Sequence, residues 1–169
     1  KEGLPWEKLE AVADWAQGSA YHHGPGNNFF LWEGNDGFGL IAEGVHGTAH
    51  FITAFRNRFQ GWEQGKSLQT VPVHIYAANR YFNIIGNVLG TTGYHGTYET
   101  AAGGATPNCN TSIFSLGPGS NCSNGGTSPY PPNDANTKGT LYRWGNWDVV
   151  SSSDDSGTND TTGLKWDSA

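Results

Sequence analysis

Apolar residues along this chain fall in short bursts, and four of the bursts end alike. FFLWEGNDGFG (residues 29–39), FITAFRNRFQG (51–61), YFNIIGNVLG (81–90) and TLYRWGNWDVV (140–150) each run from aromatic and aliphatic residues into an asparagine. In register on that residue, Asn35, Asn57, Asn87 and Asn146 share one column, and Gly precedes three of the four. Five positions earlier stand Phe30, Ile52, Phe82 and Leu141, all apolar. Three positions earlier stand Trp32, Ala54, Ile84 and Arg143, and between them the mixed set Leu31, Thr53, Asn83 and Tyr142. The alternation has period two, so each stretch is expected to be a strand whose fifth and third positions before the Asn point inward. Six positions before the Asn stand Phe29, Phe51, Tyr81 and Thr140.

The asparagines are 22, 30 and 59 residues apart. The first interval fits one turn of a β-solenoid and the second a turn with a modest loop. The third fits a turn carrying an insertion bracketed by Cys109 and Cys122, inside which SIFSLG (112–117) reads as a strand. An Asn at the corner between two strands tolerates positive φ. Stacked at about 4.8 Å, its amide can bond the amides above and below. The expected fold is all-β, a solenoid of about four to five coils closed by an Asn ladder. The alternative is four unrelated Asn turns in a β-sandwich.

The ends of a stacked-strand structure need cover. Residues 4–18 carry an early Pro, apolar Leu9, Val12, Ala13 and Ala16, and a closing Gly, the pattern of a short amphipathic helix that caps the first coil or is inserted between coils. Residues 151–163 read as a polar loop, and LKW after it as the start of one further strand. The expected layout is one domain: 1–20 a helical cap or insertion, 21–150 the coils, 151–169 loop and strand start.

Composition narrows the function classes. A net charge of −6 with only 9 Lys+Arg argues against nucleic acid, which needs a basic stripe, and no basic cluster suggests an anionic membrane surface. No apolar run reaches the length of a membrane span. The chain holds no Met and no leader pattern, so a mature or trimmed fragment is expected. Gly is abundant at 25 residues and aromatics make up 13%, the composition of a turn-rich extracellular β protein. In that setting Cys109 and Cys122 are expected to form a disulfide worth about 3 kcal/mol, with two free thiols as the alternative. Sequons at Asn110, Asn121 and Asn159 mark surface loops.

LWEGN followed by HGTAHFITAFRNRFQGWE, then VPVHIYAANRYFNIIGNVLGT, then LYRWGNWDVV resemble the bacterial right-handed parallel β-helix repeat proteins, which share the pectate-lyase-like superfold. The resemblance covers about residues 21–166. It implies a right-handed parallel β-helix and a secreted or cell-surface protein that meets polysaccharide, without implying catalysis. One departure is visible: where the family pattern has an acidic pair before HG, this chain has Glu43-Gly44, so one carboxylate is missing.

Carrying the Asn register back to the preceding strands aligns His22, Gly44 and His74, then His23, Val45 and Ile75, then Gly24, His46 and Tyr76. Val45 and Ile75 are expected inward, and His22, His46, His74 and Tyr76 on one exposed face with Glu43 close by. As an enzyme, the chain would use His74, His46, Glu43 and Tyr76 catalytically, with His or Tyr abstracting the proton α to a uronate carboxyl in a β-elimination. Arg56, Arg58 or Arg80 would pair that carboxylate. His22, Trp32, Trp62 and Arg80 are expected to bind the sugar. The competing account is that such His and Tyr residues are ordinary hydrogen-bonded surface or core positions.

No metal site is assigned and no cofactor is expected. Histidines with Glu43 are the transition-metal donors on offer, though adjacent His22 and His23 point to opposite faces. The oxygen-rich residues 154–160 are the one Ca²⁺ alternative, and they lack the EF-hand spacing. Among Glu33, Asp36, Glu43, Glu63, Glu99 and Asp148 no pair stands out for a glycoside hydrolase. The chain is therefore read as a secreted protein that binds polysaccharide and, as an enzyme, cleaves it as a lyase or hydrolase. The alternatives are a non-catalytic structural or adhesive module and, behind it, a phage tailspike segment.

Overall fold

Alternating apolar positions make short strands here, because an extended backbone puts every second side chain on the buried side. The computed structural model describes residues 15–101, 109–119, 131–151 and 164–165. The chain first lays down β1 (Ala20–His22), β2 (Asn27–Asn28), β3 (Leu31–Glu33) and β4 (Asp36–Gly37). The same succession returns as β5 (Leu40–Ala42), β6 (Ala49–His50), β7 (Thr53–Phe55) and β8 (Arg58–Phe59). It returns again as β9 (Val73–Ile75), β10 (Asn83–Ile85) and β11 (Val88–Leu89). After β12 (Thr97–Ala101) it recurs as β13 (Ser112–Leu116), β14 (Tyr142–Trp144) and β15 (Asn146–Asp148). A four-residue helix, α1 (Asn136–Gly139), and a last strand, β16 (Leu164–Lys165), complete the described elements.

Each strand pairs with its counterpart in the next succession. One sheet runs β1-β5-β9-β13-β12, a second β14-β10-β7-β3, a third β16-β15-β11-β8-β4, and β2 pairs β6. All these pairings are parallel except β15 with β16. The described residues are thus all-β, with almost no helix and nearly all pairing parallel.

The core lies between the sheets. Leu40, Val73 and Phe114 align from one sheet, as do Ala42, Ile75 and Leu116. They meet Ile52, Ala54, Phe82, Ile84 and Leu141 from the second sheet and Phe59 and Leu89 from the third. Each fully buried Ile or Leu contributes about 1.5–3 kcal/mol. Of the column five before the Asn, Ile52, Phe82 and Leu141 are buried and Phe30 is exposed; of the column three before it, Ala54 and Ile84 are buried, and Trp32 and Arg143, on the two end strands of the sheet, are half-buried.

The ladder asparagines stack as expected. Asn35 Nδ2 donates to Asn57 Oδ1 at 2.9 Å, Asn57 Nδ2 to Asn87 Oδ1 at 3.0 Å, and Asn87 Nδ2 to Asn146 Oδ1 at 3.0 Å. The same oxygens also accept the backbone N–H of the Asn one rung earlier. The expectation that Asn itself takes positive φ is corrected: Gly34, Arg56, Gly86 and Gly145, each just before an Asn, carry it. Three of these corner residues are glycine because the left-handed region costs a side chain about 1–2 kcal/mol.

Other expectations meet the structure unevenly. The helix expected over 4–18 lies outside the described residues except for 15–18, which are not helical; Trp15 forms a parallel bridge with Leu68. SIFSLG does form a buried strand, β13. The strand expected after the polar tail is β16, and it runs antiparallel to β15, covering that sheet edge rather than extending the parallel order. Cys109 is buried, and Cys122 lies outside the described residues, as do the sequons at Asn121 and Asn159 and the oxygen-rich residues 154–160.

Candidate functional site

The second sheet, β14-β10-β7-β3, turns its outer face to solvent. Leu31, Thr53, Asn83 and Tyr142 form one outward row, and Glu33, Phe55, Ile85 and Trp144 the next. Leu31, Tyr142 and Trp144 are exposed. Asn83 Nδ2 donates to Thr53 Oγ1 at 3.2 Å, and the Arg56 guanidinium lies 4.6 Å from the Phe55 ring centre while pairing with Glu33.

Beside these rows, two residues before Leu31, Thr53 and Asn83, stands an aromatic stack. The rings of Phe29 and Phe51 are 5.0 Å apart and 3° from parallel; those of Phe51 and Tyr81 are 4.9 Å apart and 10° from parallel. All three are exposed, at 79%, 45% and 51%. All three also sit at positive φ, 60°, 57° and 60°. A bulky side chain in that region is an outlier that costs about 1–2 kcal/mol, and three successive rungs repeat it. These residues share one column in the sequence, six before the Asn, but a strand pattern carries no sign of a corner and so assigns them no role.

The expected His/Tyr face is not assembled. The first sheet aligns Tyr21, Ile41, His74 and Ser115 as one row and His22, Ala42, Ile75 and Leu116 as the next. His22 therefore shares the inward row with Ile75, and His74 lies on the opposite side. Val45, expected inward, is exposed in the turn after β5. The constant offset failed because loop lengths differ: Tyr21 stands fourteen residues before Asn35, Ile41 sixteen before Asn57, and His74 thirteen before Asn87.

Nor is His74 itself open. It is 0% exposed, its ring centre 4.4 Å from that of Tyr76, which is also buried and whose hydroxyl donates to Gln69 Oε1 at 2.8 Å. Neither His74 ring nitrogen has a hydrogen-bond partner among the described residues. Burial lowers its pKa to about 3, so the imidazole is neutral. Burial likewise lowers His22 to about 4, and its Nε2 accepts from Trp32 Nε1 at 3.0 Å. Trp32 is thus turned toward His22 and is partly buried. Neither His74 nor Tyr76 can reach a polymer in this structure.

The remaining expected residues are scattered. Arg80 pairs with Asp134 and donates to Asn79 O and Thr137 Oγ1, tying the segment before α1 to the corner before β10. Burial works to raise the Asp134 pKa, and Arg80 with the N–H groups of Ala78 and Asn136 outweighs it, leaving the carboxyl below its usual value. Trp62 stacks on Tyr94 at 5.0 Å and lines a cleft of about 320 Å³ with Asp36, Phe38, Gln60 and Glu63.

Glu43 and His46 of the expected catalytic group meet as a second pair, apart from His74 and Tyr76, and they meet a residue not assigned there, His23. The Glu43 carboxylate is buried and accepts the backbone N–H groups of Val45 and His46. His46 Nδ1 is 3.0 Å from Glu43 Oε1, and His23 Nδ1 is 3.4 Å from the same atom. The two imidazole rings are 4.2 Å apart. Tyr21, whose hydroxyl is 3.1 Å from His23 Nδ1, has its pKa raised by burial and by the Glu43 charge.

Compared with known proteins, the chain matches no family model, no curated protein and no solved structure.

Proposed function

We propose that the chain is a right-handed parallel β-helix, acting outside the cell, whose outer aromatic face binds a polysaccharide. The observation that carries this is the exposed stack Phe29–Phe51–Tyr81. Packing in the core does not require those rings, yet three rungs hold them in a costly backbone conformation, a pattern associated with functional sites. Aromatic faces suit the apolar faces of sugar rings, and Asn83, Thr53, Glu33 and Arg56 beside them offer hydrogen bonds to hydroxyls. The return of one strand succession, each strand pairing parallel with its counterpart, supports the β-helix part of the reading. Low charge and high Gly content support the extracellular part.

His74 and Tyr76 are both covered, so lyase chemistry at these two residues has no access to a polymer. The reading is of binding without cleavage. A panel of neutral and uronate polysaccharides, tested by calorimetry, checks it. At least one polymer should bind, and Phe51→Ala, at the centre of the stack, should weaken it about tenfold, which equals about 1.4 kcal/mol. Silence across the panel, or binding untouched by Phe51→Ala combined with Tyr81→Ala, overturns it. The same incubations should release no unsaturated product.

A further inference from the structure

We propose that His23, Glu43 and His46 form a binding site for a divalent transition-metal ion. The three sit on the turns that follow β1 and β5, and one nitrogen or oxygen from each lies within 4.8 Å of the others. Two imidazole nitrogens and one carboxylate oxygen form a donor set that suits zinc, nickel or copper rather than calcium or magnesium. Arms of about 2.0–2.1 Å at the tetrahedral angle put ligand atoms about 3.3 Å apart. The distances from Glu43 Oε1 to the two Nδ1 atoms, 3.0 and 3.4 Å, bracket that value.

The group is built rather than incidental. Glu43 is 5% exposed, and the N–H groups of Val45 and His46 fix its carboxylate, the kind of support that orients metal ligands. Its Oε1 faces both imidazoles. The two turns touch because residue 47 is glycine: Gly47 has φ of 142°, and a Cβ there would stand 2.4 Å from Pro25 N. Any larger residue would push the turn bearing His46 off the turn bearing His23. The two imidazoles are 50% and 59% exposed, so an ion has an entry path and a fourth position open to water. The Tyr21 hydroxyl at His23 Nδ1 holds that ring as a hydrogen-bond partner which the ion replaces. A bound ion would clamp the first strand succession to the second.

Titration of the full chain with Zn²⁺, by calorimetry and thermal melting, tests this, with Ca²⁺ and Mg²⁺ as comparison ions. One Zn²⁺ per chain should bind and raise the melting temperature, and Co²⁺ should give the visible absorption of a nitrogen- and oxygen-ligated ion. His23→Ala and His46→Ala should each weaken Zn²⁺ at least tenfold, while His50→Ala, outside the group, leaves it unchanged. Both substituted side chains are exposed, and melting without metal checks that the variants fold. Glu43→Gln, which keeps an oxygen for the turn N–H groups, should also weaken Zn²⁺. Absence of saturable Zn²⁺ binding, preference for Ca²⁺, or equal loss in His50→Ala and His46→Ala overturns the proposal.

Discussion

His74 is a buried imidazole with both ring nitrogens unpartnered among the described residues, and such a group costs about 1–3 kcal/mol relative to a satisfied one. Its stability effect has a definite sign with pH. The folded chain keeps His74 neutral down to about pH 3, whereas the unfolded chain protonates near 6.5. Stability is therefore full above pH 6.5 and falls as pH drops below it, by about 1.4 kcal/mol per unit, until the folded value is reached. His22 adds a like loss that levels off near pH 4. His74→Leu removes one of these two protons. Measured by urea unfolding, the variant should be no less stable than the parent at pH 7, and should lose about 2 kcal/mol less between pH 6.5 and pH 5. Equal losses in the two proteins would mean that His74 is not held neutral. The same burial that sets this sign is why a substrate-facing role for His74 fails.

At the scale of elements, the Asn ladder makes the corner between the second and third sheets a cooperative unit. Asn87 Oδ1 accepts the backbone N–H and Nδ2 of Asn57, while its own Nδ2 reaches both Ala54 O and Asn146 Oδ1. Asn87→Ala leaves buried partners on both adjoining rungs and should cost about 3 kcal/mol or more in denaturant unfolding. Asn35→Ala, at the exposed end of the ladder, should cost about 1 kcal/mol or less, because among the described residues none bonds its side-chain oxygen. Similar costs at both positions would count against the ladder as a chain of dependent bonds. This corner was readable in the sequence because the step from Ala54 to Asn57, Ile84 to Asn87 and Arg143 to Asn146 has one fixed length. Inward and outward columns followed from it. The first sheet was not readable in the same way: the loops joining it to the Asn corner vary in length, and a slip of one residue swaps the faces. That slip puts His22 in one outward column with His74 and hides His23, which the fold sets against Glu43 through a glycine contact between turns.

At the scale of the whole molecule, rungs that pair only with neighbours give stability that is a sum of unit and interface terms, so the ends open more easily than the middle. β16 crosses the edge of β15 antiparallel, which closes that sheet against a further parallel strand, while Glu99 joins Lys138 and Arg143 near the end strand β14. The second sheet offers a matched comparison. The Asn83 amide donates to Ile52 O and the Tyr142 amide to Phe82 O, both at 2.8 Å, yet Asn83 belongs to a strand flanked on both sides and Tyr142 to the end strand. Local hydrogen-bond strength predicts equal exchange at the two; position in the stack predicts that Asn83 exchanges more slowly. Hydrogen–deuterium exchange at neutral pH should show Asn83 and Thr53 protected beyond Tyr142, with the difference lost under denaturant near the unfolding midpoint. Equal protection at Asn83 and Tyr142 in the native state would mean that the rungs open together, and that the parallel stack behaves as one cooperative core rather than as a sum of its units.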